Sequence, residues 1–464
     1  MTRDQYDLVI IGASQAGVQA ARQGIALGGR VALVTQGIEP IAGLTLAQVG
    51  RILAEIGTVD RRSTYWHGTT AAPLSWAEIL AWTQRVVTNL RAVDAPAVLA
   101  ALGVDVVMGM GEFLPQARPV LAVADRPLMA SAYLVAMPAR PQIPAIPGLT
   151  PSACLTVDDP CTLTEQPQKV AIVGDGPIGL QLAQGLVRLG TSVTVVTDAP
   201  HLLPGEDREA TRLLQAQLEV EGVRILTGQP IDQVRSLAGA QEIQVGGQTI
   251  QAELLLVDGG YRLNLDSLNL PAVGVVQDQQ GLRLNRKLQT SQPRIYVCRD
   301  DRAGYPVPQM ALEQTTIVVR NALFWPIARF DPTGIPRIVP TDPELAAVGL
   351  TEPEAQQRYG KDLLVVQQSL HALEQAQFSG DTTGFGKLLL RRNGTLVGAQ
   401  IVGTGASDLI GPIALALRQR SKLGTIATGA VISQRSDLLR QLVLEGQRLQ
   451  GLHRPWWSRL MTSH

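Results

Sequence analysis

Two glycine-rich turns in this chain have the spacing of loops that bind dinucleotides. The first lies in DLVIIGASQAGVQAA, residues 7–21, and the second in KVAIVGDGPIGLQLA, residues 169–183. In such loops the first glycine permits a tight strand-to-helix turn, the second admits a pyrophosphate, and the third lets the helix pack on the strand. The phosphates then lie at the positive end of the helix. The residues expected to contact nucleotide are Gly12, Ser14, Gln15, Ala16 and Gly17 in the first turn and Gly174, Gly176, Pro177, Ile178 and Gly179 in the second.

The strand that follows each turn ends in a residue that should face the ribose. In dinucleotide folds an acid about 20 residues past the glycines holds the ribose hydroxyls. The first unit has Thr35 at this place, and the second has Thr197 followed by Asp198. Asp198 is suited to the ribose of NAD, and no arginine stands beside it to pair with a 2′-phosphate. This favours NAD over NADP.

The elements needed to position these residues follow from hydrophobic periodicity and turn signals. We predict an α/β fold with two strand–turn–helix units, a proline-rich linker and a C-terminal α+β region. The predicted strands are 7–11, 30–35, 253–260 and 294–300, with further strands in 103–136 and a hairpin at 387–403 that turns at Asn393-Gly394. The predicted helices are 18–27, 405–420 and 435–450, with a largely helical stretch at 71–102 and the linker at 139–151.

Composition narrows the class of protein. The chain has 464 residues, is 45% hydrophobic and 17% charged, and carries 40 basic and 40 acidic side chains. This length predicts two to four domains, and the composition predicts a soluble globular protein. The balanced charge gives no basic field for nucleic acid, so no nucleic-acid partner is expected. No apolar run is long enough to span a bilayer, and three cysteines form no disulfide framework, so we predict a cytoplasmic location.

Three further segments resemble one family of flavoenzymes. HLLPGEDREATRLLQAQLEVEGVRILTG (201–228), TSQPRIYVCRDD (290–301) and IPRIVPTDPELAAVGLTEPEA (335–355) are similar to segments of the class I pyridine nucleotide-disulfide oxidoreductases. The resemblance implies FAD, NAD or NADP, and a homodimer. It implies that Asp300 holds the ribityl chain of FAD. The implied domains are FAD-binding at 1–149 and 259–333, NAD(P)-binding at 150–258, and dimerisation at 334–464.

The dithiol on which the family's chemistry depends is missing. The family carries a Cys-x4-Cys pair on the helix after its FAD turn, and the matching positions here fall near Thr45 and Arg51. The family's C-terminal His-Pro and Glu, which activate the thiolate of the other subunit, correspond to Arg435-Ser436 and Arg440. A threonine hydroxyl does not cycle between thiol and disulfide, and arginine keeps its proton. The sequence therefore predicts no disulfide exchange at this site.

Other family positions are also altered. The Ala-Thr-Gly turn reads Ala136-Met137-Pro138, and the glycine before the FAD aspartate is Arg299. The aromatic gate over the flavin corresponds to Pro177 or Ile178, and the glutamate that pairs with a lysine near the flavin is Gln181.

Several residues have two interpretations. Cys154 and Cys161 could form a relocated redox pair, but two ordinary buried thiols are the simpler hypothesis, and Cys298 is expected to pack on a buried strand. Arg435 and Arg440 could bind an anionic substrate, although a solvated helix face is favoured. The tail with Trp456 and Trp457 is consistent with a membrane-surface or protein contact, or with a segment folded back on the dimer.

Two functions remain open from the sequence. The first is a FAD-dependent NAD(P)H oxidoreductase without disulfide chemistry, in which electrons pass from flavin directly to a small acceptor such as a quinone or oxygen. Such an enzyme positions two cofactors and needs no catalytic side chain, and neither a catalytic residue nor a metal site is predicted. The second is a catalytically inactive homodimer that serves as a scaffold or nucleotide sensor.

Overall fold

Three sheets of five strands organise the chain. The computed structural model describes residues 5–35, 45–55, 75–116, 118–159, 161, 163–237, 239–263, 265–278, 281–298, 301–302, 305–421, 423–430 and 434–452. No helix within these ranges is long and apolar enough to cross a membrane.

The described helices lie mostly in the two nucleotide-binding units and at the C-terminus. They are α1 (Gln15–Ala26), α2 (46–55), α3 (Trp76–Val93), α4 (Pro96–Ala101), α5 (Pro177–Arg188), α6 (Arg208–Val220), α7 (Pro308–Leu323), α8 (Glu352–Tyr359), α9 (Glu374–Ser379), α10 (Ala406–Arg418) and α11 (Asp437–Leu452).

The strands of the first half of the chain are β1 (Tyr6–Ile11), β2 (Val31–Thr35), β3 (Asp105–Met108), β4 (Gly111–Phe113), β5 (Leu121–Val123), β6 (Arg126–Leu128), β7 (Ala130–Val135), β8 (Ala139–Pro141), β9 (Leu155–Thr156), β10 (Lys169–Val173), β11 (Ser192–Val196), β12 (Arg224–Leu226), β13 (Ile231–Leu237), β14 (Ala240–Val245), β15 (Gln248–Ala252), β16 (Leu254–Val257) and β17 (Tyr261–Leu263). Those that follow are β18 (Gln277–Asp278), β19 (Gly281–Leu282), β20 (Ile295–Val297), β21 (Asp301–Arg302), β22 (Tyr305–Pro306), β23 (Arg337–Val339), β24 (Glu344–Gly349), β25 (Leu363–Ser369), β26 (Phe385–Arg391) and β27 (Leu396–Gly403).

The first two large sheets are parallel and built on the same plan. The first has the order β20-β7-β1-β2-β3, and the second has the order β12-β11-β10-β16-β9. In each, the strand before the glycine turn lies between two parallel neighbours, and the strand order reverses at that strand. Ligands bind at such switch points, outside the carboxyl ends of the strands. Both glycine turns therefore lie where a nucleotide is expected.

The third large sheet is antiparallel and carries the C-terminal helices. Its order is β23-β24-β27-β26-β25, and α10 and α11 pack against it through a continuous apolar core. A second core joins all three regions, because side chains from α2, α5 and the C-terminal strands share it, among them Leu53, Leu182 and Phe385. The C-terminal region thus packs against both nucleotide units through this shared core.

The predicted fold class and most predicted elements are confirmed. The helix expected at 18–27 spans Gln15–Ala26, and the hairpin expected at 387–403 comprises β26 and β27. The predicted linker differs from expectation, because Ala139–Pro141 forms β8 and pairs antiparallel with β17. Prolines do not prevent pairing of so short a strand at an edge. This pair ties the exit of the first unit to the chain that returns from the second.

Candidate functional site

The first glycine turn opens into a cavity of about 720 Å³. Its lining residues include Gly12, Ser14 and Gln15 of the first turn, together with Ile178 and Tyr261. Gln15 is exposed, whereas Ala16 and Gly17 are buried where α1 packs on the sheet. The cavity therefore has walls from both the first glycine turn and α5 of the second nucleotide unit.

Backbone geometry at the first turn explains which residues must be glycine. Gly12 has a φ of +104°, and a Cβ there would lie 2.6 Å from the Ala136 carbonyl oxygen. Ser14 instead has ordinary backbone angles and caps α1, since its Oγ accepts a hydrogen bond from the Gly17 amide at 3.3 Å. Serine is a favourable N-cap residue. The residues of this turn fit a dinucleotide, with Ser14 serving the helix at the place of the missing glycine.

Thr35 lies at the carboxyl end of β2 and lines the same cavity. It is buried, and its carbonyl oxygen accepts a hydrogen bond from the Gly109 amide at 2.8 Å. A neutral hydroxyl at this place offers a ribose one donor or acceptor, whereas a carboxylate offers two charged acceptors. The structure thus places Thr35 where the sequence predicted it, beside the turn.

Helix α2 begins at the position of the family's first cysteine. Thr45 is buried, and its Oγ1 accepts a hydrogen bond from the Gln48 amide at 3.2 Å, while Gln48 Oε1 accepts one from the Thr45 amide at 3.0 Å. This reciprocal pair is a capping box. Gln48 also lines the first cavity, and Arg51 is exposed. The threonine hydroxyl is therefore committed to starting the helix.

The second glycine turn lines a separate cavity of about 480 Å³. Gly174, Gly176 and the exposed Asp198, which follows the end of β11, all line it. Pro177 is the first residue of α5. Ile178 lines the first cavity and does not line the second. The structure brings together the predicted residues of each turn and places Ile178 on the side of the second turn that faces the first cavity.

A carboxylate that the sequence did not single out occupies the second turn. Asp258 follows β16, is 5% exposed, and its Oδ2 accepts a hydrogen bond from the Gly179 amide at 2.7 Å. A Cβ on Gly176 would lie 2.3 Å from that oxygen, so the space that glycine leaves is filled by this carboxyl group. Burial raises the pKa of Asp258 to about 6; the Gly179 amide opposes the rise, and Asp158 and Asp175 reinforce it.

Other carboxylates surround this position. Asp175 accepts a hydrogen bond from the Leu203 amide at 2.9 Å, and its pKa is raised mainly by burial, with a further contribution from Asp198. Among the residues that line the second cavity there is no lysine or arginine. The electrostatic environment of the second turn is therefore acidic.

None of the three cysteines is in a disulfide within the described residues. Burial raises the pKa of Cys154, with help from Asp159, and burial likewise raises that of Cys161 against the Leu163 backbone hydrogen bond. Cys298 is buried at the end of β20, with its Sγ 3.8 Å from Thr315 Oγ1. A raised pKa reduces the thiolate that redox chemistry needs.

The two C-terminal arginines already have acidic partners. Arg435 lies 3.2 Å from Asp381, and Arg440 lies 2.5 Å from Asp437 one turn earlier on α11. These pairs favour a structural role over capture of an anionic substrate. Asp300, Arg299, Trp456 and Trp457 fall outside the described residues, so the expectations for them stay predictions.

Comparison with known proteins gives consistent matches over most of the chain. A family model described as pyridine nucleotide-disulphide oxidoreductase matches residues 6–316, and the dimerisation domain of the same family matches residues 335–432. The chain is 30% identical to a mercuric reductase of Staphylococcus aureus over 89% of this chain and 77% of that protein. It is 28% identical to a dihydrolipoyl dehydrogenase of Bacillus subtilis over 88% of this chain and 91% of that protein.

The fold also matches solved structures. The Cu(II) complex of the HOCl-induced flavoprotein disulfide reductase RclA from Escherichia coli superposes with a TM-score of 0.81. The match covers 95% of this chain and 99% of that one, at 22% identity. At this identity the likeness concerns the fold: two nucleotide-binding units followed by an antiparallel C-terminal domain.

Proposed function

The chain belongs to the pyridine nucleotide-disulphide oxidoreductase family. We propose that it is a homodimeric oxidoreductase that passes electrons from flavin to a small acceptor without using a dithiol. Members of this family bind FAD and NAD(P), so family membership indicates a flavin-dependent pyridine nucleotide oxidoreductase. The match of residues 335–432 to the dimerisation domain supports the homodimer.

The capping box of Thr45 and Gln48 is the observation that carries this proposal. It lies beside the first cavity at the place where the family keeps a cysteine, and its hydroxyl is engaged in starting α2. Burial raises the pKa of the Cys154 and Cys161 thiols, and no cysteine occurs in α2. Neither side chain of this capping box could accept electrons from a bound flavin, so a diffusible acceptor such as a quinone or oxygen would have to take them.

Each part of the chain has an assigned task in this proposal. The segments 1–149 and 259–333 hold FAD through the turn from Gly12 to Gly17, with Thr35 at the ribose and Asp300 at the ribityl chain. The segment 150–258 holds NAD(P)H through Gly174, Gly176 and Gly179, with Asp198 favouring NADH, and 334–464 forms the dimer. When bound, FAD supplies the redox chemistry. The chain's own residues bind and orient the two nucleotides.

The test is the visible absorbance of the purified protein before and after anaerobic addition of NADH and then NADPH. A flavin band that bleaches, followed by reoxidation with a quinone and without added disulfide, is the expected result. Steady turnover of a disulfide substrate would contradict the absence of dithiol chemistry.

An inactive scaffold or nucleotide sensor is the second candidate. The carboxyl group of Asp258 in the second turn favours it, because this group fills the space beside Gly176 through which dinucleotide folds admit a pyrophosphate. A flavin band that fails to bleach with either nucleotide over the whole pH range of stability would support the sensor or scaffold.

A further inference from the structure

The second glycine turn is occupied by an anion that the chain itself supplies. Asp258 Oδ2 lies 2.7 Å from the Gly179 amide nitrogen, and the carboxyl group fills the space above Gly176 that a Cβ would otherwise take. In dinucleotide folds this space and the amides at the start of the helix receive the pyrophosphate. The carboxyl group and a phosphate therefore compete for one place.

Few donors remain at the start of α5. Pro177 has no N–H, Gly179 donates to Asp258, and the Leu180 amide donates to the Gly176 carbonyl oxygen at 3.1 Å. Within the first turn of the helix, the described hydrogen bonds leave the Ile178 amide for a phosphate. The helix N-terminus is thus largely used by the chain's own groups.

Charge adds to this competition. The groups that face Asp258 are Asp158, from the segment after β9, and Asp175, from the glycine turn; Asp198 and His201 in turn act on Asp175. Among the described residues, no lysine or arginine lines the second cavity, whereas Asp158 lines the first cavity together with Arg140. A pyrophosphate with two negative charges would meet an ionised Asp258 at hydrogen-bond distance, which is strongly unfavourable at low dielectric.

We propose that Asp258 makes binding of a dinucleotide at the second turn depend on uptake of a proton. The neutral carboxyl group donates its O–H to a phosphate oxygen, whereas the ionised group excludes the pyrophosphate. This inference rests on the proposed assignment of NAD(P)H to the second turn. It identifies Asp258 as the residue whose protonation determines whether the second turn binds a dinucleotide.

The direction of the effect follows from the pKa of Asp258, which burial raises to about 6. Below that pH the group is neutral and affinity is full. Above it, affinity falls about tenfold for each pH unit, because only the protonated fraction binds. Between pH 6, where half of the Asp258 carboxyl groups are neutral, and pH 8, the dissociation constant should rise roughly fiftyfold.

The experiment uses isothermal titration calorimetry of the whole chain with ADP-ribose, in the presence of excess FAD to keep the first turn filled. ADP-ribose carries the pyrophosphate, lacks the nicotinamide and tolerates acid. Titrations at pH 7.5 in two buffers of different ionisation enthalpy give the number of protons taken up. Uptake of about one proton per ligand is expected, and adenosine, which has no phosphate, should take up none.

The Asp258→Asn variant separates charge from shape. Its amide oxygen still accepts from Gly179, so it should bind ADP-ribose at every pH as the wild type does at pH 5.5, with no proton uptake. Asp125→Asn, which removes an exposed carboxylate elsewhere, should keep the wild-type pH dependence. Pairing these variants controls for the change of net charge.

The outcomes are distinct from those of the proposed function. Binding of ADP-ribose without proton uptake, or a pH dependence retained in Asp258→Asn, would overturn the inference even if NADH bleached the flavin. Proton-linked binding without flavin reduction would support the inference and contradict the oxidoreductase. If Asp258→Asn does not fold, the two-buffer measurement on the wild type decides alone. Failure of ADP-ribose to bind at any pH overturns the inference as well.

Discussion

Arg337 on β23 and Glu206, just before α6, form a buried ion pair between the C-terminal sheet and the second nucleotide unit. Arg337 Nε lies 2.7 Å from Glu206 Oε1 and Nη2 lies 2.9 Å from Oε2, with the two side chains 4% and 0% exposed. Such a bidentate pair fixes orientation as well as adding energy. It holds the C-terminal domain against the unit that carries the second turn.

Breaking the ion pair between Arg337 and Glu206 should lower the free energy of unfolding substantially. In Arg337→Met the carboxylate of Glu206 stays buried without its cation, which typically costs about 3–5 kcal/mol. The free energy of unfolding in urea at neutral pH measures this. Arg391→Met is the matched control, since Arg391 pairs with Asp362 at the surface, 2.7 Å away and about two-fifths exposed. If both variants lost the same free energy of unfolding, burial of the ion pair would not account for its contribution to stability.

Asp258 should reduce stability at neutral pH, unlike most carboxylates. Its pKa is raised from 3.8 to about 6, so the native state binds more protons than the unfolded state in this window and stability falls as pH rises through it. A shift of two units corresponds to about 3 kcal/mol. Asp258→Asn should therefore exceed the wild type by about this amount at pH 8 and match it at pH 3.5. Chemical unfolding at both pH values tests the sign, and a variant that is less stable at pH 8 would contradict it.

The two nucleotide units could be predicted from local sequence signals, whereas contacts between residues far apart in the chain could not. The glycine turns and the apolar strands before them are encoded within about 30 residues, and α1 and α5 start within their turns as the spacing requires. Asp258 lies 79 positions from the Gly179 amide that it accepts from, and only the order β11-β10-β16 brings them together. The sequence ELLLVDGG showed a strand and turn but not their neighbour.

The start of α2 is an intermediate case. Thr45 followed by Gln48 has the spacing of a capping box, so this helix start could have been predicted without any relative. Alignment with the dithiol family shows only that Thr45 lacks a thiol, and does not show that it caps the helix. The two hydrogen bonds between Thr45 and Gln48 identify its structural role, which is to cap α2.

Removing the Thr45 cap should lower stability by a modest amount. Thr45→Ala loses the Oγ1 acceptor for the Gln48 amide and should cost about 1 kcal/mol in the free energy of unfolding. Thr45→Ser keeps the hydroxyl and should stay near the wild type. Because Gln48 lines the first cavity, FAD affinity measured by flavin fluorescence should fall in the alanine variant and hold in the serine variant. Identical behaviour of the two would contradict the capping role.

Asp198 should discriminate between the two nicotinamide nucleotides. It is exposed at the end of β11 and lines the second cavity, where it suits the ribose hydroxyls of NADH. Asp198→Ala should raise the dissociation constant of NADH about tenfold, the scale of one hydrogen bond to a charged group. NADPH should bind no worse, since its phosphate loses a repelling carboxylate. The dissociation constants are best compared at pH 6. If Asp198→Ala lost more affinity for NADPH than for NADH, this assignment would be refuted.

The thiols should be dispensable for electron transfer. Cys154 and Cys298 are buried, Cys161 is partly exposed, and burial raises the pKa of Cys154 and Cys161, so little thiolate is present near neutral pH. With all three replaced by serine, reduction of a quinone by NADH should stay within about twofold of the wild type, because no thiol carries electrons. Cys161→Ser alone is the control for misfolding of the triple variant, since its side chain is the least buried of the three. A hundredfold loss of turnover in Cys161→Ser, with an unchanged flavin spectrum and unchanged unfolding, would show that the redox pair had moved to this segment.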